Sequence, residues 1–325
     1  MELITRPPRQ YHVSHDTAAE LERTILEDPR VVPAQSGGVA EAVVDVAART
    51  LRKAGNDIGS LLRVGRRSGG GPAMKHDYLA VMMELDAART APWFIRTGRR
   101  SLYLFDAWPA RHGEIRAFVE AWGIQYAFIS SSQAAERLAR LSERCTFMWV
   151  PEGVDPSGYQ QRSFIEKDID VLQLGRKYDS YHARIAPGLE TAGKSYFHEK
   201  EKGGIVFPTR EEFVGGLARS RISICFPSSM THPQRAGDIE TMTTRYLQSM
   251  VSKCLVLGHA PGEMLELFGY NPVVEVDDAD PAGQILEILR DYESYQPLIE
   301  KNYDTVRSDH TWRRRWDRMA EVLFP

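Results

Sequence analysis

The chain has 325 residues, of which 42% are hydrophobic, 26% charged and 10% aromatic, with a formal net charge of -3 and a pI near 6.3. This length points to two domains of about 150 residues each, and the composition excludes disordered and fibrous classes. The near-neutral balance excludes a global field that would gather nucleic acid or an anionic membrane, so any anion site has to be local.

The N-terminal stretch MELITRPPRQYHVSHD carries no apolar core of a signal sequence, and no segment approaches the roughly 20 apolar residues that span a bilayer. A cytoplasmic protein is expected, with peripheral membrane contact left open. Residues 17–64 carry helical signals, with Asp16 or Thr17 as N-cap before AAELERTILED and a second periodic run in VAEAVVDVAARTLRKAG. VVPAQSGG between them reads as a strand and turn. GRRSGGGP, residues 65–72, reads as a mobile loop that lacks the lysine and Ser/Thr of a Walker-type phosphate cradle.

An alternation follows: YLAVMMEL and SLYLFDAW as strands, HGEIRAFVEAWG as a helix, YAFISSS as a strand, SQAAERLARLSE as a helix, and CTFMWVPEGVD as a strand and loop. Such alternation makes a parallel α/β sheet. The polar stretch PSGYQQRSFIEKD is the candidate linker, giving domains 1–158 and 159–325. The pattern then restarts: IDVLQLG as a strand, GIVFP as a short apolar segment, TREEFVGGLARS as a helix opened by a capping box, and RISICFP as a strand. TTRYLQSMVSK, GEMLELFG and PAGQILEILRDYES read as helices, CLVLG and PVVEVD as strands. Ligands of such sheets sit at the carboxyl ends of the strands.

Cys145, Cys225 and Cys254 are widely spaced and read as reduced core residues. The acidic run DDAD at 277–280 is best explained by capping from Asp280 and Pro281. WRRRW at 312–316 is expected to pack its tryptophans across the lobes and leave its arginines in solvent.

The run RYLQSMVSKCLVLGHAPGEMLELFGYNPVVEVDD resembles the donor-binding region of retaining GT-B glycosyltransferases of the family-4/family-1, CgeB-like kind. MWVPEGVDPSGY is similar to their interdomain segment, and IDVLQLGRK to the first strand of their C-terminal domain. The three matches occur in the family's order. The resemblance implies an α/β GT-B fold, two Rossmann-like domains facing each other across a cleft, with a nucleotide-sugar domain in the C-terminal half and a last helix that crosses back to the first domain. It also implies a nucleotide-diphosphate sugar as donor, no metal or other cofactor, no nucleic acid, and a small-molecule, glycan or lipid-linked acceptor.

A nucleotide diphosphate held without metal requires helix N-terminal amides and Arg or Lys. By resemblance the diphosphate candidates are Arg176, Lys177 and Arg245, with Gly175 at the strand end. The family's pair of glutamates, with seven residues between them, is represented by Glu240 and Gln248. Glu240 then contacts the donor sugar, and Gln248 accepts from a ribose hydroxyl without the strength a charge would lend. The loop 227–244 supplies Ser228, with Thr243 or Thr244 as N-cap and His232 and Asp238 as further titratable members. Asp106 or His112, after a strand of the first domain, is the candidate general base on an acceptor hydroxyl if the enzyme inverts. Glu152 and Asp155 are placed beside the cleft. The alternatives are a sugar-nucleotide epimerase or hydrolase on the same fold and a non-catalytic sugar-nucleotide-binding protein.

Overall fold

The computed structural model describes residues 1–5, 13–34, 76–96, 98–175, 177–201 and 204–325. The periodic run at 39–55, the Gly/Arg-rich segment 65–72 and Arg176 lie outside the described residues. Two compact units are formed, one from Met1–Arg9 and Ala18–Pro151, the other from Gln10–Thr17 and Glu152–Pro325.

The first unit is built on a wholly parallel sheet whose strands are β1 (Glu2–Ile4), β2 (Val32–Pro33), β3 (Tyr78–Met82), β4 (Arg100–Leu104), β5 (Tyr126–Ile129) and β6 (Thr146–Trp149), in the order β2-β1-β3-β4-β5-β6. Every residue of β3 is buried, as expected of a strand covered on both faces. Helix α1 (Val13–Leu26) begins ahead of the expected cap: Asp16 lies inside its first turn, where it pairs with Arg210 and favours the helix dipole. A further helix, α2 (Ala87–Phe94), joins β3 to β4 and is not marked in the sequence reading, because Pro92 interrupts a segment of only two turns. Its cap is Asp86, which accepts from the Arg89 amide at 3.1 Å. Helix α3 (His112–Trp122) ends on Gly123 in the left-handed conformation, and α4 (Ser132–Ala139) is capped by Ser131.

In the second unit β7 (Ile169–Gln173), β8 (Tyr196–His198), β9 (Ser220–Cys225), β10 (Leu255–Gly258) and β11 (Val274–Glu275) form a parallel sheet in the order β11-β10-β9-β7-β8. Chain order reverses between β7 and β9, since β8 lies on one side of β7 and every later strand on the other. That makes the carboxyl ends of β7 and β9 the switch point where open α/β sheets bind ligands. One face carries α5 (Asp179–Thr191) and α11 (Pro281–Arg290), packed through Tyr181, Ile185, Leu189, Ile285 and Ile288. Packed on the other are α6 (Arg210–Arg219), α9 (Thr244–Val251), α10 (Gly262–Phe268) and α12 (Gln296–Asp309), through Leu217, Leu247, Met250, Met264 and Val306. The capping box of α6 forms, Thr209 and Glu212 closing on each other, and Asp280 caps α11 by accepting from Gly283 at 3.0 Å.

The short apolar segment 204–208 packs Val206 and Phe207 against the core. Three features depart from expectation. The segment 227–243 is not one long loop but contains two single turns, α7 (Ser228–Thr231) and α8 (Pro233–Ala236), pinned by buried Ala236, Ile239 and Met242. Helices α5 and α12 escape sequence reading; α5 contains Pro187 and α12 has no side-chain cap at its start. In α13 (Trp312–Leu323) both tryptophans are fully buried and Arg313 is exposed, but Arg315 is buried as well. Its guanidinium donates to the carbonyls of Glu152 (3.3 Å) and Asp309 (3.1 Å) and lies 2.8 Å from His310 Nδ1, which explains how a charged group tolerates that burial. Segment 152–159 joins the second core through Val154 and Tyr159, and Val154 bridges to Thr311.

Candidate functional site

The site is built from strand ends of the second unit. β7 runs out into Leu174 and then Gly175, whose φ of +69° places it in the left-handed region. A Cβ there would stand 3.1 Å from Arg245 Nη2, so the glycine lets the backbone lie directly against the guanidinium. Arg245 is the second residue of α9, is partly buried, and makes no ion pair among the described residues. Its charge reaches the end of β9: burial pushes the Cys225 thiol up to about 11, and Arg245 opposes that rise. A half-buried cation with no carboxylate partner among the described residues, at a switch point, has the charge and placement to receive an anion.

Gln248 lies one turn after Arg245, on the same side of α9. It is only 6% exposed, and its Nε2 donates to the Tyr159 hydroxyl at 2.9 Å. This fixes the amide so that Oε1 is the acceptor left without a partner among the described residues. At the end of β9, Ser228 opens α7, and the adjoining Ser229 hydroxyl is buried with no hydrogen-bond partner among the described residues. Lys177 is partly buried past the end of β7, near enough to His182 to help burial lower that imidazole's pKa.

Thr243 takes the N-cap position of α9 but makes no capping bond with its side chain. Thr244 is not the cap either. Its amide donates to Glu152 Oε2 at 2.6 Å and its hydroxyl bonds the same oxygen, so the helix is capped by a carboxylate 92 positions earlier in the chain. Thr244 is therefore engaged within the protein and does not present its amide to a ligand. Replacing Glu152 by alanine is expected to cost about 2 kcal/mol and to fray the turn that carries Arg245. Faster hydrogen exchange at Thr244–Leu247 would report it, and unchanged protection would contradict the capping role.

Glu240, in the segment before α9, lies with its Oε1 3.6 Å from His259 Nε2, and His259 Nδ1 is 3.3 Å from Glu275 Oε2. His259 directly follows β10 and Glu275 ends β11, so two strand ends and the segment before α9 meet here. Gly258 before them has φ +155°, and a Cβ there would lie 1.8 Å from the Cys225 carbonyl oxygen, so no other residue fits. Neither His259 nor Glu275 is marked by sequence reading; the only signal was that His259 directly follows one predicted strand and Glu275 lies within another. His232 bonds its own loop, Nδ1 lying 3.0 Å from the Thr231 carbonyl oxygen, and Asp155 caps a 3-10 turn by accepting from the Ser157 amide at 3.0 Å.

Asp106 and His112 belong to the first unit. Asp106 donates its amide to the Met83 carbonyl at 2.8 Å, just past β4. His112 is buried at the start of α3 with Nε2 3.0 Å from the Ala107 carbonyl oxygen, which makes Nε2 the protonated nitrogen and Nδ1 the acceptor. Burial lowers its pKa, keeping the neutral ring at pH 7.

No protein-family model matches the chain, and no curated protein matches it. Solved structures do. HepE of Anabaena in complex with UDP aligns with a TM-score of 0.57 at 10% identity, over 99% of this chain and 98% of that one. A glycosyltransferase of Rickettsia africae aligns at 0.54 and 9% identity, covering 99% and 96%. TarM aligns at 0.53 and 7% identity, covering 77% of this chain and 55% of its own, so the chain spans about half of TarM. Together with the two parallel sheets, these likenesses define the fold: two Rossmann-like units of the GT-B glycosyltransferase type. No helix of the described residues is long and apolar enough to cross a membrane.

Proposed function

We propose that this chain transfers a sugar from a nucleoside-diphosphate sugar to an acceptor, without a metal and with retention at the transferred carbon. The observation that carries the proposal is Arg245, whose guanidinium makes no ion pair among the described residues and lies on a left-handed glycine at the switch point of the second sheet. In this reading Arg245 and Lys177 neutralise the leaving diphosphate, together with Arg176, which directly precedes Lys177 in the sequence. Charge placed where the leaving group develops its own is the electrostatic contribution such a reaction depends on.

Gln248 Oε1 accepts from a ribose hydroxyl, its amide orientation set by Tyr159. Glu240 holds the donor sugar. Ser228 and Thr243 border the diphosphate, and Asp106 and His112 serve the acceptor, His112 through Nδ1 of a neutral ring. Support for a uridine donor comes from the solved neighbours: HepE is described in complex with UDP and with UDP-glucose, and TarM of S. aureus in complex with UDP. A cytoplasmic location follows from use of such a donor, and the acceptor is a small molecule, a glycan or a lipid-linked sugar.

Calorimetric titration with UDP, GDP and their glucose esters tests the reading. The parent is expected to bind at least one pair, and Arg245→Ala to bind the same nucleotide roughly 30-fold more weakly, equivalent to about 2 kcal/mol for a lost charged hydrogen bond. A parent that binds none of them, or an Arg245→Ala protein with undiminished affinity, overturns the proposal.

A further inference from the structure

We propose that Glu263 is a positioning residue for the donor site: its buried side chain holds the Met242 amide and, together with Glu152 on Thr244, sets the course of the segment that delivers Arg245. This role rests on the donor reading above and deepens it with a residue to which that reading gives no part.

The segment after α8 runs from Gly237 to Thr243 with no strand or helix of its own. Backbone of this kind has no ladder to occupy its amides, and those that are buried must find acceptors elsewhere. Met242 is fully buried in the second core, and its amide donates to Glu263 Oε1 at 2.7 Å, the one partner that amide has among the described residues. Two residues on, the Thr244 amide donates to Glu152 Oε2 at 2.6 Å. Thr243 between them is extended, with φ -83° and ψ 155°. Both ends of one extended residue are thus fixed by side chains from elsewhere in the chain, and Arg245 follows directly.

Glu263 is itself well supported. It is 6% exposed and stands in the first turn of α10, where the helix dipole favours a carboxylate. Its neighbour Met264 is fully buried in the same core as Met242. The acceptor is therefore carried by a helix packed on the sheet and not by a loop, the kind of support a precise site needs. An apolar side chain could fill the same place in the core but would leave the Met242 amide buried without an acceptor.

Placement matters because Arg245 has to lie against the end of β7, where a Cβ on Gly175 would come within 3.1 Å of its Nη2. A shift of about 1 Å at the start of α9 moves the guanidinium off that strand end and weakens any charged hydrogen bond to a ligand there.

Hydrogen exchange, and calorimetry with UDP or with GDP where the parent prefers it, test the role on Glu263→Asp and Glu263→Gln. Aspartate keeps the charge but falls about 1.5 Å short of Met242; glutamine loses the charge and keeps an oxygen at full reach. Glu263→Asp is expected to exchange about tenfold faster at Met242 and Thr244–Leu247, with β7 and β9 unchanged, and to bind the nucleotide about tenfold more weakly. Glu263→Gln should restore both to within about threefold of the parent. In an Arg245→Ala background, Glu263→Asp should cost less than about twofold in affinity, because no guanidinium is left to place.

Faster exchange over β7 and β9 as well, or an equal loss of affinity with and without Arg245, marks a merely structural role and overturns the inference, as does undiminished affinity in Glu263→Asp. Should Glu263→Asp not fold, Glu263→Gln decides: values near the parent's uphold the acceptor role, and a loss of about tenfold overturns it. A parent that binds neither nucleotide defeats the donor reading, while the exchange comparison still decides whether Glu263 holds the segment.

Discussion

Replacing Lys167 by methionine is expected to destabilise the second unit by about 3 kcal/mol, more than any substitution at the candidate site. Lys167 is 2% exposed, and its ammonium donates to three carbonyls: Ala218 at 3.0 Å, Ser220 at 2.9 Å and Ser252 at 3.0 Å. Two of these lie at the end of α6 and the third just past α9, so one cation meets the negative ends of both helices and uses all three of its protons. Burial lowers its pKa, but the carbonyl oxygens replace the water it loses. Methionine fills similar space and leaves three buried acceptors without a donor. The urea midpoint of the second unit, followed by hydrogen exchange at β7 and β9, should fall accordingly; an unchanged midpoint would show that water reaches those carbonyls.

Acid is expected to weaken the same unit well before its carboxylates titrate. His310 is 2% exposed, stacks on Phe268 at 4.3 Å, and has Nδ1 2.8 Å from Arg315 Nη2 while Nε2 has no hydrogen-bond partner among the described residues. Burial first, and then the Arg315 charge, push its pKa down from 6.5 to about 4. The folded state thus favours the neutral ring. Between the two values the unfolded chain binds a proton that the folded one does not, so the contribution is complete above pH 6.5 and is lost as pH falls toward 4. The whole interval corresponds to about 3 kcal/mol, with about 2 kcal/mol lost by pH 5. Stability measured at pH 7.5 and pH 5 should show this difference for the parent and little of it for His310→Gln, which keeps an acceptor for Arg315 but cannot titrate. Equal pH dependence in the two proteins would refute the assignment.

Both predictions lie on contacts that sequence reading does not reach, and the candidate site shows the same division. The alternation of strands and helices, the capping box at Thr209 and Glu212, the Asp280 cap and the glycine after β7 are written in neighbouring residues, because a strand repeats every two residues, a helix every 3.6, and a capping box closes over three. The order of the motifs was enough to indicate two Rossmann-like units, and Arg245 stands out because it directly follows the Thr-Thr pair that marks the start of its helix.

Sequence alone determined, then, most of the strands and helices and the fold class they build, though it did not mark the short strands β1 and β8, and it pointed to the strand ends where ligands of such sheets sit. Only the tertiary structure decided that Glu152 and not Thr243 caps α9, that Gln248 is oriented by Tyr159, that Arg315 is buried, and that His259 stands between Glu240 and Glu275. The physical reason is separation along the chain. Glu152 and Thr244 lie 92 positions apart and Lys167 and Ser252 lie 85 apart, and no periodicity links residues at such distances until a packed sheet brings its strand ends and helix ends to the same place.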